Sequence, residues 1–464
     1  MEVLRRAPML GILASLVSGL ALYDKIGGLA FVLVVPLIYS AIMFLSYEND
    51  LPGEWQIFFC GLIIALLCSL RIYAGIFTPE INNKSINNAQ GEIISVRTWG
   101  RAYIAVIEIV NEGRFITRLQ FAEFLPGDRI KFDGSIRPLK HSRNNKDFDE
   151  SRYWGARGVI GWVKLYDVQE LPKKLSLALI RRKISRFLGI YAPDLTGKYL
   201  KAAWLGERSD SLNKSHRKWG TSHLLAVSGF HVGMFILCLS LLFGQKILLL
   251  SFLMWLYIFL TGAAPSAVRA GLMIQTGLLA SVLGRPVSAV NSVSLAGVLL
   301  LLYSPLYFWD IGWRLSVLSA LVISAMAATH KKIIWLLISP VAALVTFPQV
   351  AYTFGGVPLV GIILNLFAPL YFSFAFTIAS VSALLNMINI LWPLFAVEGI
   401  FKLWELSADY ITSLIPAVIE YNIFIAWVGS GTFIYFMCKY FDFAVARIFA
   451  IMLVGSFAAF MIFL

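Results

Sequence analysis

Charged residues are absent from two long stretches of this sequence. No Asp, Glu, Lys or Arg occurs from Trp219 to Gln245 or from Ile333 to Val397. Over all 464 residues only 14% are charged, whereas 59% are hydrophobic. A bilayer core takes about 20 apolar residues per helix, and soluble domains rarely hold uncharged tracts of this length. The composition therefore excludes an ordinary soluble protein and predicts several membrane spans.

Cysteine is scarce, and a nucleotide-binding loop is missing. The four cysteines all lie in apolar stretches, where they act as small hydrophobic side chains, and residues 77–170 contain none. This excludes a disulfide framework in that segment. No Gly-x-x-x-x-Gly-Lys loop is present, so the chain is not expected to hydrolyse ATP itself.

The N-terminus can be interpreted in two ways. Arg5 and Arg6 precede an apolar run that reaches Leu22, which also fits a cleavable signal peptide. Further apolar spans near 27–46 and 55–74 favour a retained first helix with its N-terminus in the cytoplasm. Three N-terminal helices within residues 1–76 then place the next segment outside the cytoplasm.

Residues 77–170 form the one predicted soluble domain. It contains runs rich in β-branched and aromatic residues, separated by turn signals such as Pro126-Gly-Asp128. Five short strands fit a small β-barrel, for which an OB-fold is the natural candidate. The predicted strands are 91–97, 101–110, 113–121, 128–139 and 157–168. The fold class is thus a polytopic α-helical membrane protein with one inserted OB-fold-like barrel domain.

The segment 171–222 is basic, with twelve Lys or Arg residues against three acids from Lys173 to Lys218. It predicts amphipathic connecting helices whose positive charge attracts either anionic lipid headgroups or a polyanion. In the second case Arg181, Arg182 and Lys183 would contact DNA.

Residues 223–464 form a second transmembrane domain. We predict spans in it near 223–244, 247–262, 266–283, 288–304, 311–329, 333–353, 357–385, 421–440 and 445–463. Residues 392–415 carry charges at helical spacing and predict a helix that lies in the interface or lines a cavity.

Three polar side chains interrupt the first of these spans. His223, Ser228 and His231 stand in an otherwise apolar run, and Ser228-Gly229 weakens a helix in its middle. We therefore expect an interrupted span. An unbroken helix would hold the two imidazoles about 80° apart, so they share a face only loosely. A metal site would also need a third and fourth ligand, and the sequence has only three other histidines. No Gly-x-Ser-x-Gly elbow supports hydrolase chemistry. Lining of a polar path or hydrogen bonding between helices is the better interpretation.

Four further polar residues are candidates for lining that path. Arg269 either snorkels to the interface or faces a phosphate-conducting path. Asp310 and Arg314, four residues apart, predict an ion pair on one helix face or a role in transport. Asn365, inside the second uncharged tract, predicts a hydrogen bond between neighbouring helices.

In the predicted barrel, basic and aromatic residues could bind a single strand by charge and stacking. With 16 basic against 12 acidic residues over 77–175, an ordinary solvated surface is the alternative for each of them. The candidates are Trp99, Arg101, Tyr103, Arg114, Phe115 and Arg118.

The motifs resemble one known family. His223-Leu-Leu-Ala-Val-Ser-Gly-Phe-His-Val-Gly233 resembles the "HLLAISGLHVG" signature of the ComEC-type competence proteins, which are bacterial membrane channels for DNA uptake. The element Leu205-Gly-Glu-Arg208 resembles "LGDR" in that family. Downstream, the sequence from Leu260 to Ala270 is similar to "LTGxxPSxxRA", and Leu283-Gly-Arg-Pro286 with Asn291 resembles "LGRxxxxxNxL". In the barrel segment, Leu125-Pro-Gly-Asp-Arg129 and the stretch from Phe148 to Gly158 resemble the family's "GD" turn and closing element.

The resemblance implies an inner-membrane channel component that conducts single-stranded DNA into the cytoplasm. Its partners would be single-stranded DNA, the lipid bilayer, an extracytoplasmic DNA receptor, a cytoplasmic motor ATPase and a separate nuclease, and self-association stays open. The barrel would lie outside the cytoplasm, with the basic segment at the entrance.

Two departures from the family pattern stand out. Arg314 replaces the glutamine of the family pattern "FxxGFQLS", which puts any shared role of that position in doubt. Relatives often continue into a metallo-β-lactamase-like domain, whose His-x-His-x-Asp-His metal cluster is absent from this sequence. We therefore expect no metal, no cofactor and no nuclease activity. A membrane enzyme that uses His223, Ser228 or His231 on a lipid or phosphate substrate, and a relative without transport activity, are the alternatives.

Overall fold

The computed structural model describes most of the chain between residues 7 and 440. The described residues are 7–45, 54–76, 82–99, 102–119, 124–142, 148–207, 209–225, 227, 229–244, 246–328, 334–386, 392–420 and 422–440. They divide into two compact units. One is helical and comprises Met1–Ala74, Pro193–Tyr303 and Ile311–Leu464; the other comprises Gly75–Ala192 and Ser304–Asp310. The predicted span at 445–463 lies outside the described residues.

The second unit is built on a closed five-stranded barrel. Its strands are β1 (Lys84–Trp99), β2 (Ala102–Ile109), β3 (Gly113–Leu119), β4 (Arg129–Pro138) and β5 (Val159–Leu171), paired in the order β1-β2-β3-β5-β4. The strands β3 and β5 are parallel, and β1 pairs with both β2 and β4. The predicted small barrel is confirmed, and it has the strand number of OB-folds.

The first strand begins seven residues earlier than predicted, at Lys84 instead of 91. The β1–β4 register shifts between Ile86 and Ala89, and Asn88 there has φ 54°. Asparagine tolerates this left-handed conformation, and a bulge needs one such residue. The amide N–H of Asn88 donates to Asp133 Oδ1 at 2.6 Å, which fixes the bulge. The Asn-rich sequence that indicated a loop therefore forms a bulge inside a strand.

Apolar side chains fill the barrel, and a short helix covers part of its outside. Ile93, Ile107, Phe115 and Phe132 belong to the interior cluster and are almost completely buried. The helix α1 (Glu150–Gly155) supplies Trp154 to a second cluster with Ile104, Val106, Ile116 and Val159 on the outer face of the sheet. Asp149 caps this helix by accepting a hydrogen bond from the Arg152 N–H. Both faces of β3 are consequently buried over residues 115–117. A further helix, α2 (Leu177–Tyr191), also belongs to this unit.

The described residues of the other unit are helical apart from connecting turns and one short two-stranded sheet. Its helices, named here in chain order, are αA (Pro8–Ile26), αB (Gly28–Leu45), αC (Glu54–Ile76), αD (Asp194–Leu205), αE (Asp210–Lys218), αF (Gly229–Phe243), αG (Ile247–Leu260), αH (Pro265–Val282), αI (Ala289–Tyr303), αJ (Ile311–Ala327), αK (Ile334–Phe354), αL (Val360–Asn386), αM (Trp392–Leu414) and αN (Ile423–Tyr440). The two-residue strands Val357–Pro358 and Val418–Ile419 pair antiparallel.

Membrane spans follow from length and composition. Among the described residues, four helices are long and apolar enough to cross a bilayer: Pro8–Ile26, Phe58–Ile76, Leu336–Phe354 and Val360–Asn386. The helices αF, αG, αI and αJ and most of αB are apolar but shorter. The chain is therefore a helical membrane protein with an inserted barrel, as the sequence predicts.

The helix αM is amphipathic, as its charge spacing indicates. Leu394, Val397, Phe401, Trp404 and Ala408 follow one another at intervals of three or four residues and are all buried. That period places them on one helical face, which packs against αL and αD. The carboxylates Glu398, Glu405 and Asp409 lie along the edge of this face, with Glu398 and Glu405 half-buried, and they take part in the site described below.

Candidate functional site

Within the predicted span 223–244, the described helix begins only at Gly229; we call the segment that precedes αF the interruption. A 3₁₀ turn covers Ser222–Leu224, and αF starts at Gly229. His223 lies in the turn, and His231 lies in the first turn of αF with only 6% of its surface exposed. Ser228 is outside the described residues. The hydroxyl of Ser266, at the start of αH, donates to the Val227 carbonyl at 2.8 Å and so ties αH to the interruption.

Arg269 projects from the first turns of αH towards the start of αF. It is 8% exposed, and its Nε and Nη1 atoms are buried without a hydrogen-bond partner among the described residues. A Cβ atom added to Gly229 would lie 3.6 Å from Arg269 Nη2 and 3.2 Å from Ala270 Cβ. The guanidinium thus lies beside the N-terminus of αF.

A second group of polar side chains, which we call the polar cluster, joins αD, αE and the turn after αE. Its members are Tyr199, His216 and Thr221, and each is fully buried. The Tyr199 hydroxyl and His216 Nε2 are 2.8 Å apart, and Thr221 Oγ1 lies 2.9 Å from His216 Nδ1. The Tyr199 ring also stacks on Phe401 of αM, with ring centroids 4.3 Å apart. The polar cluster is therefore hydrogen-bonded throughout, as buried polar groups generally are.

Two carboxylates of αM secure the ends of neighbouring helices. Glu398 Oε2 accepts hydrogen bonds from both the N–H and the hydroxyl of Thr196, each at 2.9 Å. Pro193, at the N-cap of αD, makes no capping bond with its side chain. Glu398 therefore supplies the negative acceptor that a helix N-terminus favours, but from another helix. Asp409 accepts from Lys218 Nζ at 2.9 Å and from the Trp219 indole at 3.0 Å, at the C-terminal end of αE.

The helices αD, αE and αM, which surround the polar cluster, are not among the described helices that are long and apolar enough to cross a bilayer. Burial sets the protonation states of the titratable side chains in this cluster. The pKa of His216 is lowered to about 4, mainly by burial; the hydrogen bond with the Thr221 backbone opposes this change, and the nearby His223 adds to it. The pKa of the Tyr199 hydroxyl is raised by burial and by the Glu405 carboxylate on αM. His216 is consequently neutral at physiological pH.

The barrel residues predicted to bind DNA lie in different environments in the structure. Phe115 is 1% exposed inside the barrel, so its prediction as a stacking platform is wrong. Tyr103 packs partly against the same interior cluster. Arg114 and Arg118 project outward from β3; Arg114 pairs with Glu108 at 3.4 Å. Trp99 ends β1, and Arg101 lies outside the described residues.

Two side chains of the basic segment form ion pairs within the barrel unit. Arg182 of α2 contacts Asp128 at 2.6 Å, and Lys173 contacts the same carboxylate at 3.1 Å. Partial burial opposes ionisation of Asp128, but the Leu125 N–H and these two cations outweigh it and hold its pKa below the usual range. Arg182 therefore anchors α2, whereas Lys183 is exposed and Arg181 is half-buried.

Asp310 and Asn365 contact different parts of the chain. Asp310 belongs to the barrel unit and pairs with Arg157 at 2.8 Å, a partner far away in sequence that helical spacing could not indicate. Arg314 is half-buried on αJ. Asn365 Nδ2 donates to the Gly220 carbonyl at 3.3 Å and so connects αL to the turn after αE. The structure thus brings together the interruption and Arg269, while Asp310 is in the other unit.

The polar cluster was missed by the sequence analysis. His216 sits in a short polar helix, and Tyr199 is seventeen residues away in another helix, so no periodicity joins them. The one sequence pattern that pointed to this region was the helical spacing of the carboxylates in αM, which pack beside the polar cluster.

Known proteins match much of this chain. A family described as "Competence protein" matches residues 204–454, more than half of the sequence. ComE operon protein 3 of Bacillus subtilis (strain 168) is 26% identical over 324 residues, which make up 64% of this chain and 41% of that protein. The chain thus spans about two fifths of the length of that relative. No solved structure matches. The family match includes αF and αH but not the barrel.

Proposed function

Because the chain belongs to the competence protein family, we propose that it takes part in DNA uptake and conducts single-stranded DNA across the bacterial inner membrane. The conducting part is the helical unit, since the family match lies there. The chain would depend on a separate DNA receptor, a motor ATPase and a nuclease. No step of this proposal requires chemistry by the chain itself.

The interrupted span is the observation that carries the proposal. A backbone break at membrane depth is tolerated only where it is buried in protein or lines a polar cavity. Here the break stands beside a buried guanidinium, and the helix that follows it begins with Gly-Phe-His. Ionisable residues within spans mark ion and substrate pathways. A positive charge at a helix N-terminus suits a polyanion whose phosphates pass one after another.

The barrel has a separate proposed role. We place it outside the cytoplasm, where Arg114 and Arg118 offer charge to an incoming strand, and with Phe115 inside the barrel this contact would depend on charge more than on stacking. Topology reporters fused at Asn111 should be active on the outer side of the membrane. Reporter activity in the cytoplasm would overturn the orientation.

Uptake of labelled DNA tests the proposal directly. Cells that lack this gene should fail to internalise nuclease-protected DNA, and the parent gene should restore uptake. His231→Leu should impair uptake while the amount of protein in the membrane stays normal. Ser240→Ala is the matched control on αF, because that hydroxyl donates only to the Leu237 carbonyl of its own helix. Normal uptake in cells without the gene would overturn the proposed function.

A further inference from the structure

We propose that Arg269 and the N-terminus of αF form a binding site for one phosphate group of the DNA backbone. This inference rests on the proposed function, because it assigns that phosphate to DNA in transit. The site consists of the guanidinium of Arg269, the first backbone N–H groups of αF and the space above Gly229.

The guanidinium of Arg269, buried and unpaired among the described residues, is the first reason to infer a phosphate site here. An ionised group that is buried without a partner is strongly unfavourable, so such groups are normally paired or solvated. Arg269 keeps only 8% of its surface exposed, and two of its nitrogen atoms are buried without a hydrogen-bond partner in the described part of the chain. A bound anion would supply the missing acceptor. Guanidinium N–H groups match the oxygen atoms of phosphate in both charge and geometry.

The helix end is the second, independent reason. The first N–H groups of a helix have no acceptor within the helix and carry a partial positive charge. The helix αF begins at Gly229 and has 15 residues, so its N-terminus has a full dipole behind it. Arg269 Nη2 points to this end, 3.6 Å from where a Cβ atom of residue 229 would lie. A helix N-terminus with a buried guanidinium beside it offers two kinds of donor to an anion.

Glycine at position 229 keeps the site open. A side chain there would place its Cβ atom against Arg269 Nη2 and only 3.2 Å from Ala270 Cβ. Gly233, one turn further along αF, has no atom within 4 Å of its added Cβ. Gly229→Ala therefore narrows the site without removing its charge, and Gly233→Ala is a matched control on the same helix.

Thermal unfolding of the full chain in phosphatidylcholine nanodiscs tests the site without requiring transport. Inorganic phosphate, compared with chloride at equal ionic strength, should raise the Tm of the parent and of Gly233→Ala. It should not raise the Tm of Arg269→Gln or Gly229→Ala. A ligand that binds only the folded state stabilises it in this way. An equal rise in all four proteins would overturn the site.

Binding of a short fluorescent oligothymidylate then identifies the ligand. Arg269→Gln should weaken binding about tenfold, as expected for the loss of one charge-assisted hydrogen bond. Arg285→Gln, which removes an exposed charge beyond the end of αH, should change binding less than about twofold. An oligonucleotide with an uncharged methylphosphonate backbone should bind the parent and Arg269→Gln equally. Equal binding of the charged oligothymidylate by the parent and Arg269→Gln would overturn the assignment.

Nanodiscs that contain phosphatidylglycerol separate DNA from lipid. If a lipid headgroup fills the site, the parent gains stability in these nanodiscs and no longer responds to phosphate or oligonucleotide. That result would overturn the assignment to DNA. Failure of these binding tests with normal transport would remove only this site. Normal DNA uptake in cells without the gene would instead remove the proposed function, whatever the binding data show.

Discussion

Two buried polar regions of the helical unit differ in one decisive respect. In the polar cluster each of the side chains Tyr199, His216 and Thr221 has a hydrogen-bond partner inside the protein. At the interruption before αF, Arg269 is also buried but has two nitrogen atoms without a partner in the described residues. Satisfied buried groups hold helices in place, whereas an unsatisfied cation leaves capacity for a ligand. The comparison teaches that burial alone does not identify a functional site.

The largest effect should come from breaking the polar cluster. His216→Leu leaves the Thr221 hydroxyl buried without its partner and removes one of two partners of the Tyr199 hydroxyl, which keeps Glu405. We expect a loss of about 2–4 kcal/mol in unfolding free energy. Adding Tyr199→Phe should cost less in the His216→Leu background than in the parent, because the bond is already lost. Denaturant unfolding of the four proteins measures this coupling. Additive effects would show that the two side chains act independently.

Removing the carboxylate that caps αD should have the next largest effect. Glu398→Ala deprives the Thr196 N–H and hydroxyl of their acceptor, and we expect a loss of about 1–3 kcal/mol. Lys402→Ala is the control, since its ammonium is exposed and 3.7 Å from Glu398. Its effect should stay below about 0.5 kcal/mol. Similar losses in the two variants would mean that the ion pair, and not the cap, stabilises αD.

Acid should weaken the polar cluster specifically. Burial lowers the pKa of His216 to about 4, below the value of about 6.5 in an unfolded chain. Between these values the unfolded state binds the extra proton, so stability should fall as pH falls from about 6.5 to 4. The slope from this residue is at most about 1.4 kcal/mol per pH unit. Unfolding across this range should show a shallower dependence in His216→Leu, and an unchanged slope would contradict the neutral, buried imidazole.

The smallest effect, and of opposite sign, is expected at the interruption. Arg269→Leu removes an unpaired buried charge, so in the absence of anions we expect unchanged or higher stability, by up to about 1 kcal/mol. The difference in stability between Arg269→Leu and the parent can be measured by thermal unfolding in chloride at low ionic strength. A large loss of stability would show that Arg269 makes structural contacts like those of the polar cluster.

Sequence reasoning succeeded where local chemistry decides the structure. The Ser228-Gly229 pair predicted the interrupted span, and alternation and turn signals predicted the barrel strands. It failed where distant chain segments meet. Phe115 was assigned to a binding face from its residue type, but β3 turns its side chain into the barrel, while Arg114 and Arg118 point outward. The bond between Tyr199 and His216 and the pair between Asp310 and Arg157 join residues whose proximity no period encodes.

If the interruption before αF lies on the path of DNA, Arg269 contacts DNA in transit. DNA uptake by cells whose only copy of this gene encodes Arg269→Gln tests this most directly. Internalised DNA, the amount of protein in the membrane and its Tm should be measured together, with Gly233→Ala as control. We predict uptake reduced about tenfold or more, as expected for the loss of a charge-assisted contact, with normal amount and stability. Normal uptake by Arg269→Gln at normal amount and stability would contradict the claim.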